Sequence, residues 1–208
     1  GISNEHTIIA YDTLGMFSVA RAWWMFRVFG HDAVAVLDGG LPAWRAAGHD
    51  VDSGPWGGST PETFLSDFRP TMVRAIRQVQ GAVFDGGATI IDARASARFT
   101  GEQKEFRPGL RSGHMPGARN IPVDRLTDPD TKRLLDAGAL AALFDEAMVD
   151  RNQPIIATCG SGVSACMIDL ALTVTGDGGA PVYDGSWTEW GGREDLPIVG
   201  PAGDGETK

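Results

Sequence analysis

Cys159 follows the apolar run Pro154–Thr158 and opens a loop of small residues, Gly160, Ser161, Gly162, Val163 and Ser164. That placement suits a nucleophile. Glycines let a backbone curl until successive N–H groups converge on one point, and the first turn of a following helix adds partial positive charge. Both favour an anion, and cysteines in such surroundings ionise more readily than ordinary thiols. The other cysteine, Cys166, lies seven residues on, where the helix faces its sheet, and reads as core packing. Two cysteines build neither a disulfide framework nor a four-cysteine zinc site. The sixth residue after Cys159 is Ala165, not the arginine of a Cys-x5-Arg phosphatase loop, and no Cys-x-x-Cys pair is present. His6, His31, His49 and His114 have no spacing that marks one as the base of a cysteine hydrolase. What remains is chemistry in which a thiolate accepts an atom or group and the loop holds the resulting charge.

The elements that must position this loop occur twice. "TIIAYD" ends at Asp12 and "PIIATC" at Cys159, 147 residues later; "VLDGGLPAW" ends at Trp44 and "VYDGSWTEW" at Trp190, 146 residues later. Each copy reads as strand (Thr7–Tyr11; Pro154–Thr158), turn, helix (17–29; 162–175), strand (Val34–Leu37; Pro181–Tyr183) and a helical turn bearing the tryptophan. Alternating strands and helices predict an α/β fold with parallel sheets flanked by helices. The second copy has a front half as well: a helix from Thr71 to about Asp85, a strand ending near Asp92, a loop "RSGHMPGARNIP" into a short extended piece, and an amphipathic helix over 138–149. The first copy lacks a counterpart of residues 71–147, 77 positions. The chain therefore divides into residues 1–49, a Gly-, Pro-, Ser- and Asp-rich linker over 50–70, a complete unit over 71–200, and a tail over 201–208. The first helix carries Phe17, Trp23, Trp24, Met25 and Phe26, more apolar surface than one face of an isolated helix. A segment outside the sequence, or a contact between copies, is expected to cover it.

Composition narrows the rest. The chain has 208 residues and a net charge of −9, enough length for a real core and too acidic a balance for general nucleic-acid binding. No apolar run approaches the roughly 20 residues of a membrane span, and no secretory signal pattern opens the sequence. Two free thiols fit a reducing compartment, taken as the cytoplasm. No metal or cofactor is called for.

"CGSGVSA", "GHMPGARNIP", "IIDAR", "YDGSWTEW" and "RAWWMFRVFG…VLDGG" together resemble the rhodanese superfamily, and within it the tandem-domain 3-mercaptopyruvate sulfurtransferases. The resemblance implies tandem rhodanese-like domains, the first present only as its C-terminal half. Residues 71–200 would be the catalytic domain and the first copy silent, as Asp12 stands where the second has Cys159. It implies a Cys159 persulfide that passes sulfur from 3-mercaptopyruvate to cyanide or to a thiol such as thioredoxin. Gly160, Gly162, Val163 and Ser164 would line the substrate from the loop. Ser161 matches the family serine that hydrogen-bonds the substrate carbonyl or relays a proton. Arg98 and Arg107 match the family's paired substrate-binding arginines, whose forks suit a carboxylate. Related thiosulfate enzymes put Arg and Lys after the cysteine, where this loop has neutral Gly160 and Ser161; the countercharge for mercaptopyruvate is therefore expected away from the loop. Asp92 and Arg94 read as a buried structural pair, His114 as a loop-fixing residue, and Trp187 and Trp190 as core. The alternatives are a thiosulfate sulfurtransferase on the same loop and a non-catalytic rhodanese-like interaction module. The family's first-domain histidine and acidic residue would fall among the 77 positions without counterpart.

Overall fold

The computed structural model describes residues 1–55 and 57–201; the predicted tail, apart from Pro201, lies outside the described residues. The chain opens with strand β1 (Ile8–Ala10), helix α1 (Val19–Val28), strand β2 (Val34–Val36) and helix α2 (Gly40–Ala46). β1 and β2 pair in parallel. The predicted linker contains no helix or strand among its described residues up to Pro70, yet it is not detached. Asp67 and Arg69 donate backbone N–H groups to Phe29 and Val28 at the end of α1, and Phe64 meets Phe26 and His31 edge to face.

A second unit follows. A 3-10 turn at Pro70–Met72 leads into β3 (Val73–Arg74), α3 (Ile76–Asp85), β4 (Thr89–Asp92), α4 (Ser96–Phe99), β5 (Arg119–Asn120), a 3-10 turn at Val123–Leu126, α5 (Ala137–Glu146), β6 (Ile155–Thr158), α6 (Ala165–Val174), β7 (Val182–Tyr183) and α7 (Ser186–Trp190). Its five strands form one sheet, all parallel, in the order β3-β7-β6-β4-β5. The helix expected from Thr71 begins only at Ile76. Val73 instead pairs with Val182 at the sheet edge, where a β-branched side chain packs well, and the Gln78 side chain takes the Ala75 N–H at the true helix start. β6 lies at the sheet centre with all four residues buried, as an apolar run between two parallel neighbours requires.

The two units share a register. Ala10 pairs with Val36 in the first and Ala157 with Val182 in the second, the same strand pair at the offsets read from the sequence. They also share a core. Val19, Ala20, Trp23, Trp24 and Val28 of α1 join Cys166, Met167, Ile168, Leu170 and Ala171 of α6 in one buried apolar cluster. This corrects the expectation that the aromatic helix needs another segment or another copy. Trp23 and Trp24 are covered by α6 of the same chain, while Phe17 and Met25 stay exposed. What does lie open is the other side of the small sheet. In the second unit Ile156 and Trp190 are buried with Val79, Ile90, Met115 and Leu196. Their counterparts Ile9 and Trp44 are 57% and 38% exposed and line a groove of about 500 Å³ with Tyr11, Leu37 and Leu41. Among the described residues no helix is long and apolar enough to cross a membrane.

Candidate active site

Cys159 directly follows the central strand β6 and is buried, with 2% exposure. The turn into α7 holds its backbone on both sides. The Ser186 hydroxyl oxygen accepts the Cys159 N–H at 3.2 Å and itself donates to the Tyr183 carbonyl at 2.8 Å, while the Trp187 N–H reaches the Cys159 carbonyl at 2.9 Å. Ser186 adopts a left-handed φ of +50°, unusual for a serine and sustained here by those bonds.

Two outward pins shape the loop. The Gly160 carbonyl accepts the Thr188 N–H at 3.0 Å and the Thr188 hydroxyl at 2.6 Å. The Gly162 carbonyl accepts Arg21 Nη1 at 3.4 Å and the Cys166 thiol at 3.2 Å. In a trans peptide the next N–H points opposite to the carbonyl, so these pins turn the Ser161 and Val163 N–H groups toward the other face of the loop. Among the described residues, the N–H groups of Gly160 through Ala165 find no acceptor within the chain. Burial raises the Cys166 thiol, which keeps it a neutral donor. Its core placement stands, with this one added contact.

The corresponding loop of the first unit holds an anion. Asp12 receives the N–H groups of Leu14 at 2.9 Å, Ser18 at 2.8 Å and Val19 at 3.1 Å. Burial pushes this carboxyl up, but the backbone hydrogen bonds, led by that from Ser18, outweigh it and hold the group below the usual carboxylate range. At the repeat offset of 147 those donors correspond to Ser161, Ala165 and Cys166. One loop encloses a carboxylate; the other presents free N–H groups beside a cysteine.

Arg98 and Arg107 come together over Gly160. A Cβ on Gly160 would sit 3.1 Å from Arg98 Nη2 and 3.9 Å from Arg107 Nη1. The expectation that the countercharge lies away from the loop is therefore corrected: both guanidinium groups stand on its rim, because residues 100–107 fold back onto a buried carboxylate. Glu105, its side chain 1% exposed, accepts Arg98 Nη2 at 2.6 Å and Arg94 Nη1 at 2.9 Å. Arg94 is in turn bound bidentately to Asp92, donates to the Gly113 carbonyl and lies 4.2 Å from the Trp187 ring. Asp92 and Arg94 are thus the buried pair expected, with Glu105 as an unforeseen third member. Arg107 Nη1 donates to the Thr188 hydroxyl at 2.9 Å and has no acidic partner among the described residues. The Ser161 side chain makes no hydrogen bond among the described residues and is half-buried, one residue on from Gly160. Val163 is half-buried, and Ser164 precedes the first turn of α6. His114 is bound to the Phe99 carbonyl at 2.8 Å and stacked on the Phe99 ring, and burial lowers its pKa. Trp187 and Trp190 are fully buried, their N–H groups on the Arg111 and Pro197 carbonyls.

Sequence reasoning missed Glu105, Thr188, Ser186 and Arg21. "YDGSWTEW" marked the turn that carries two of them, but nothing in its residue types assigns Ser186 to the cysteine N–H or Thr188 to the arginine.

Residues 76–193 match the rhodanese-like domain family. Over 218 residues the chain is 43% identical to thiosulfate/3-mercaptopyruvate sulfurtransferase 1, mitochondrial, of Arabidopsis thaliana, covering 95% of this chain and 57% of that protein. It is 41% identical over 199 residues to 3-mercaptopyruvate sulfurtransferase of Escherichia coli (strain K12), covering 95% and 69%. The crystal structure of Tum1 protein from Saccharomyces cerevisiae matches with a TM-score of 0.84 at 30% identity, covering 96% of this chain and 71% of that one. The chain spans 57% and 64% of the two Arabidopsis relatives it matches, less than two thirds of either.

Proposed function

The chain belongs to the rhodanese family, and on that premise we propose that it moves a sulfane sulfur from 3-mercaptopyruvate, through a persulfide on Cys159, to a thiol or cyanide acceptor. The carrying observation is the pair of loops: the first wraps the Asp12 carboxylate, while in the second the Ser161 and Ala165 N–H groups, equivalent to those of Leu14 and Ser18, have no acceptor within the chain among the described residues. A cradle of that kind stabilises the charge that a thiolate brings and a persulfide retains.

The Cys159 thiolate attacks the donor's sulfur. A sulfur–sulfur bond forms, the carbon–sulfur bond breaks, and its electron pair leaves as the enolate of pyruvate, which takes up the proton of the donor thiol. Arg98 and Arg107 hold the donor carboxylate, and the Ser161 hydroxyl donates to the carbonyl on which the enolate charge develops. An acceptor thiolate such as that of thioredoxin, or cyanide, then attacks the outer sulfur and releases the Cys159 thiolate. No net oxidant or reductant is consumed. Gly160, Gly162, Val163 and Ser164 contribute backbone rather than side chains to the site.

Residues 71–200 are proposed as the catalytic domain, joined by 50–70 to a silent copy of which 1–49 is the C-terminal half. The groove beside Ile9 and Trp44 then takes a segment, supplied from outside residues 1–208, that does for the first copy what Val79 and Met115 do for the second. A reducing compartment such as the cytoplasm fits two unpaired cysteines.

A second donor is favoured by one feature: two guanidinium groups on the loop rim also suit thiosulfate, a small dianion. Intact-mass measurement after incubation with each donor separates the two and tests the whole reading. The expected result is the mass of one sulfur atom added, mapped to Cys159, with mercaptopyruvate the faster donor. No added sulfur from either donor, or sulfur mapped to Cys166, refutes it.

A further inference from the structure

We propose that Arg21, on α1 of the first unit, is a positioning residue for the Cys159 loop, an inference that rests on the sulfur-transfer reading above. Its guanidinium lies 4.5 Å from the ring centre of Trp24, which is buried where α1 meets α6, so the side chain is supported by the packed interface rather than waving in solvent. From there Nη1 reaches two groups of the second unit, the Gly162 carbonyl at 3.4 Å and Asp184 Oδ1 at 2.5 Å.

Those two groups belong to the two segments that frame Cys159. Gly162 is in the loop after the cysteine. Asp184 begins the turn whose Ser186 and Trp187 hold the cysteine's own N–H and carbonyl. Arg21 therefore ties both walls of the site to one cation. Pulling the Gly162 carbonyl outward sends the Val163 N–H the other way, into the set of unpaired donors. Glycine is required at 162 on two grounds: φ is +78°, and a Cβ there would lie 2.7 Å from Asp184 Oδ1 and 3.0 Å from Arg21 Nη1. The close approach is built into the loop. Cys166 backs the same carbonyl from the core side. The first unit, which carries no cysteine, thus takes part in the site through a side chain that crosses to the loop.

The competing view is an ion pair between half-exposed groups that contributes almost nothing. Arg21→Gln separates the two, with Asp184→Asn as a second variant that leaves α1 and its packing untouched. Two readouts are used: persulfide formation in single-turnover mixing with mercaptopyruvate over a range of concentrations, and the rate at which iodoacetamide alkylates Cys159 at neutral pH. Arg21→Gln is expected to slow persulfide formation at saturating donor about tenfold, the loss of one charge-assisted hydrogen bond. The half-saturating concentration should stay within about twofold, because Arg98 and Arg107 are untouched. Alkylation should slow in parallel. Asp184→Asn should show the same pattern, the double variant should be no slower than the worse single one, and Arg21→Lys should recover part of the rate. Changed thermal stability with unchanged persulfide and alkylation rates overturns the proposal, as does equal loss in Arg21→Lys and Arg21→Gln. If the wild-type chain forms no persulfide, the sulfur-transfer reading fails, and the alkylation series still decides the role of Arg21.

Discussion

Replacing Thr188 with valine removes one hydroxyl at almost unchanged shape and cuts the hydrogen-bonded link from Arg107 to the Gly160 carbonyl of the cysteine loop. The hydroxyl donates to the Gly160 carbonyl at 2.6 Å and accepts Arg107 Nη1 at 2.9 Å. The carbonyl is not orphaned, since the Thr188 N–H still reaches it at 3.0 Å. That half of the loss is an ordinary hydrogen bond, about 0.5–1.5 kcal/mol. Arg107 loses an acceptor but stands at the cleft edge, where water substitutes, so its share falls below the roughly 1.5–3 kcal/mol of a charge-assisted bond. The sum points to about 1–1.5 kcal/mol, a roughly five- to tenfold fall in kcat/KM for mercaptopyruvate. Thermal stability should fall by no more than about 1 kcal/mol, because the side chain is exposed, the change nearly isosteric and the Gly160 carbonyl keeps the Thr188 N–H. Steady-state assays across donor concentration read the first quantity and thermal denaturation the second. Thr188→Ser, which keeps the hydroxyl, should behave like wild type. Valine at full activity, or serine as impaired as valine, refutes the link.

Cys159→Ser should abolish sulfur transfer with the fold retained by circular dichroism, whereas Cys166→Ser, still able to donate to the Gly162 carbonyl, should keep most of the activity; the reverse outcome would move the nucleophile. Arg98→Ala or Arg107→Ala should lower kcat/KM for mercaptopyruvate by about one to two decades. Gly160→Arg with Ser161→Lys should raise the thiosulfate-to-mercaptopyruvate activity ratio while lowering mercaptopyruvate use itself, because a side chain at 160 meets Arg98 at 3.1 Å; an unchanged ratio counts against the site. Asp169 gives a pH prediction. Its carboxyl is buried on α6, with one oxygen on the Ala180 N–H and the other without a partner. Burial raises its pKa from 3.8 to about 6, against smaller opposing effects of the Ala180 N–H and Arg27. The folded state therefore holds this proton more tightly than the unfolded chain, so the contribution to stability is full below pH 3.8 and is lost as pH rises to about 6. Asp169→Asn should remove that part of the pH dependence and stabilise the protein near pH 7 by about 2–3 kcal/mol at most, measured by denaturant unfolding at several pH values.

How legible was this in the sequence? Cys159 was, because an apolar run, a glycine-bearing loop and a helix are local signals, and one chain segment contains all three. The strand β6 and helix α6 fell where periodicity put them. Arg98 and Arg107 were found through motif likeness, but their place over Gly160 was not, since it depends on Glu105, and one buried acid in "GEQKEF" looks like any solvated charge. The start of α3 was misread because Val73 answers to a strand partner more than a hundred residues away. The cover over Trp23 and Trp24 was missed for the same kind of reason: it is made by α6, and no local pattern reports which helix another will meet. Asp12 was noticed as a replacement for cysteine, not as an ion that fills its own loop.

That filled loop has a consequence for how the two halves could diverge. Around Cys159 no side chain of the loop itself plays that part, and the loop is braced from outside by Thr188, Ser186 and Arg21. The first unit needs no such bracing, because Asp12 is a permanently resident ligand supplied by the chain itself. The Asp12 loop holds its shape with its own carboxylate at the centre. A dependable ligand makes the first loop a fixed neighbour, on the unit whose α1 packs against the α6 that follows the second loop.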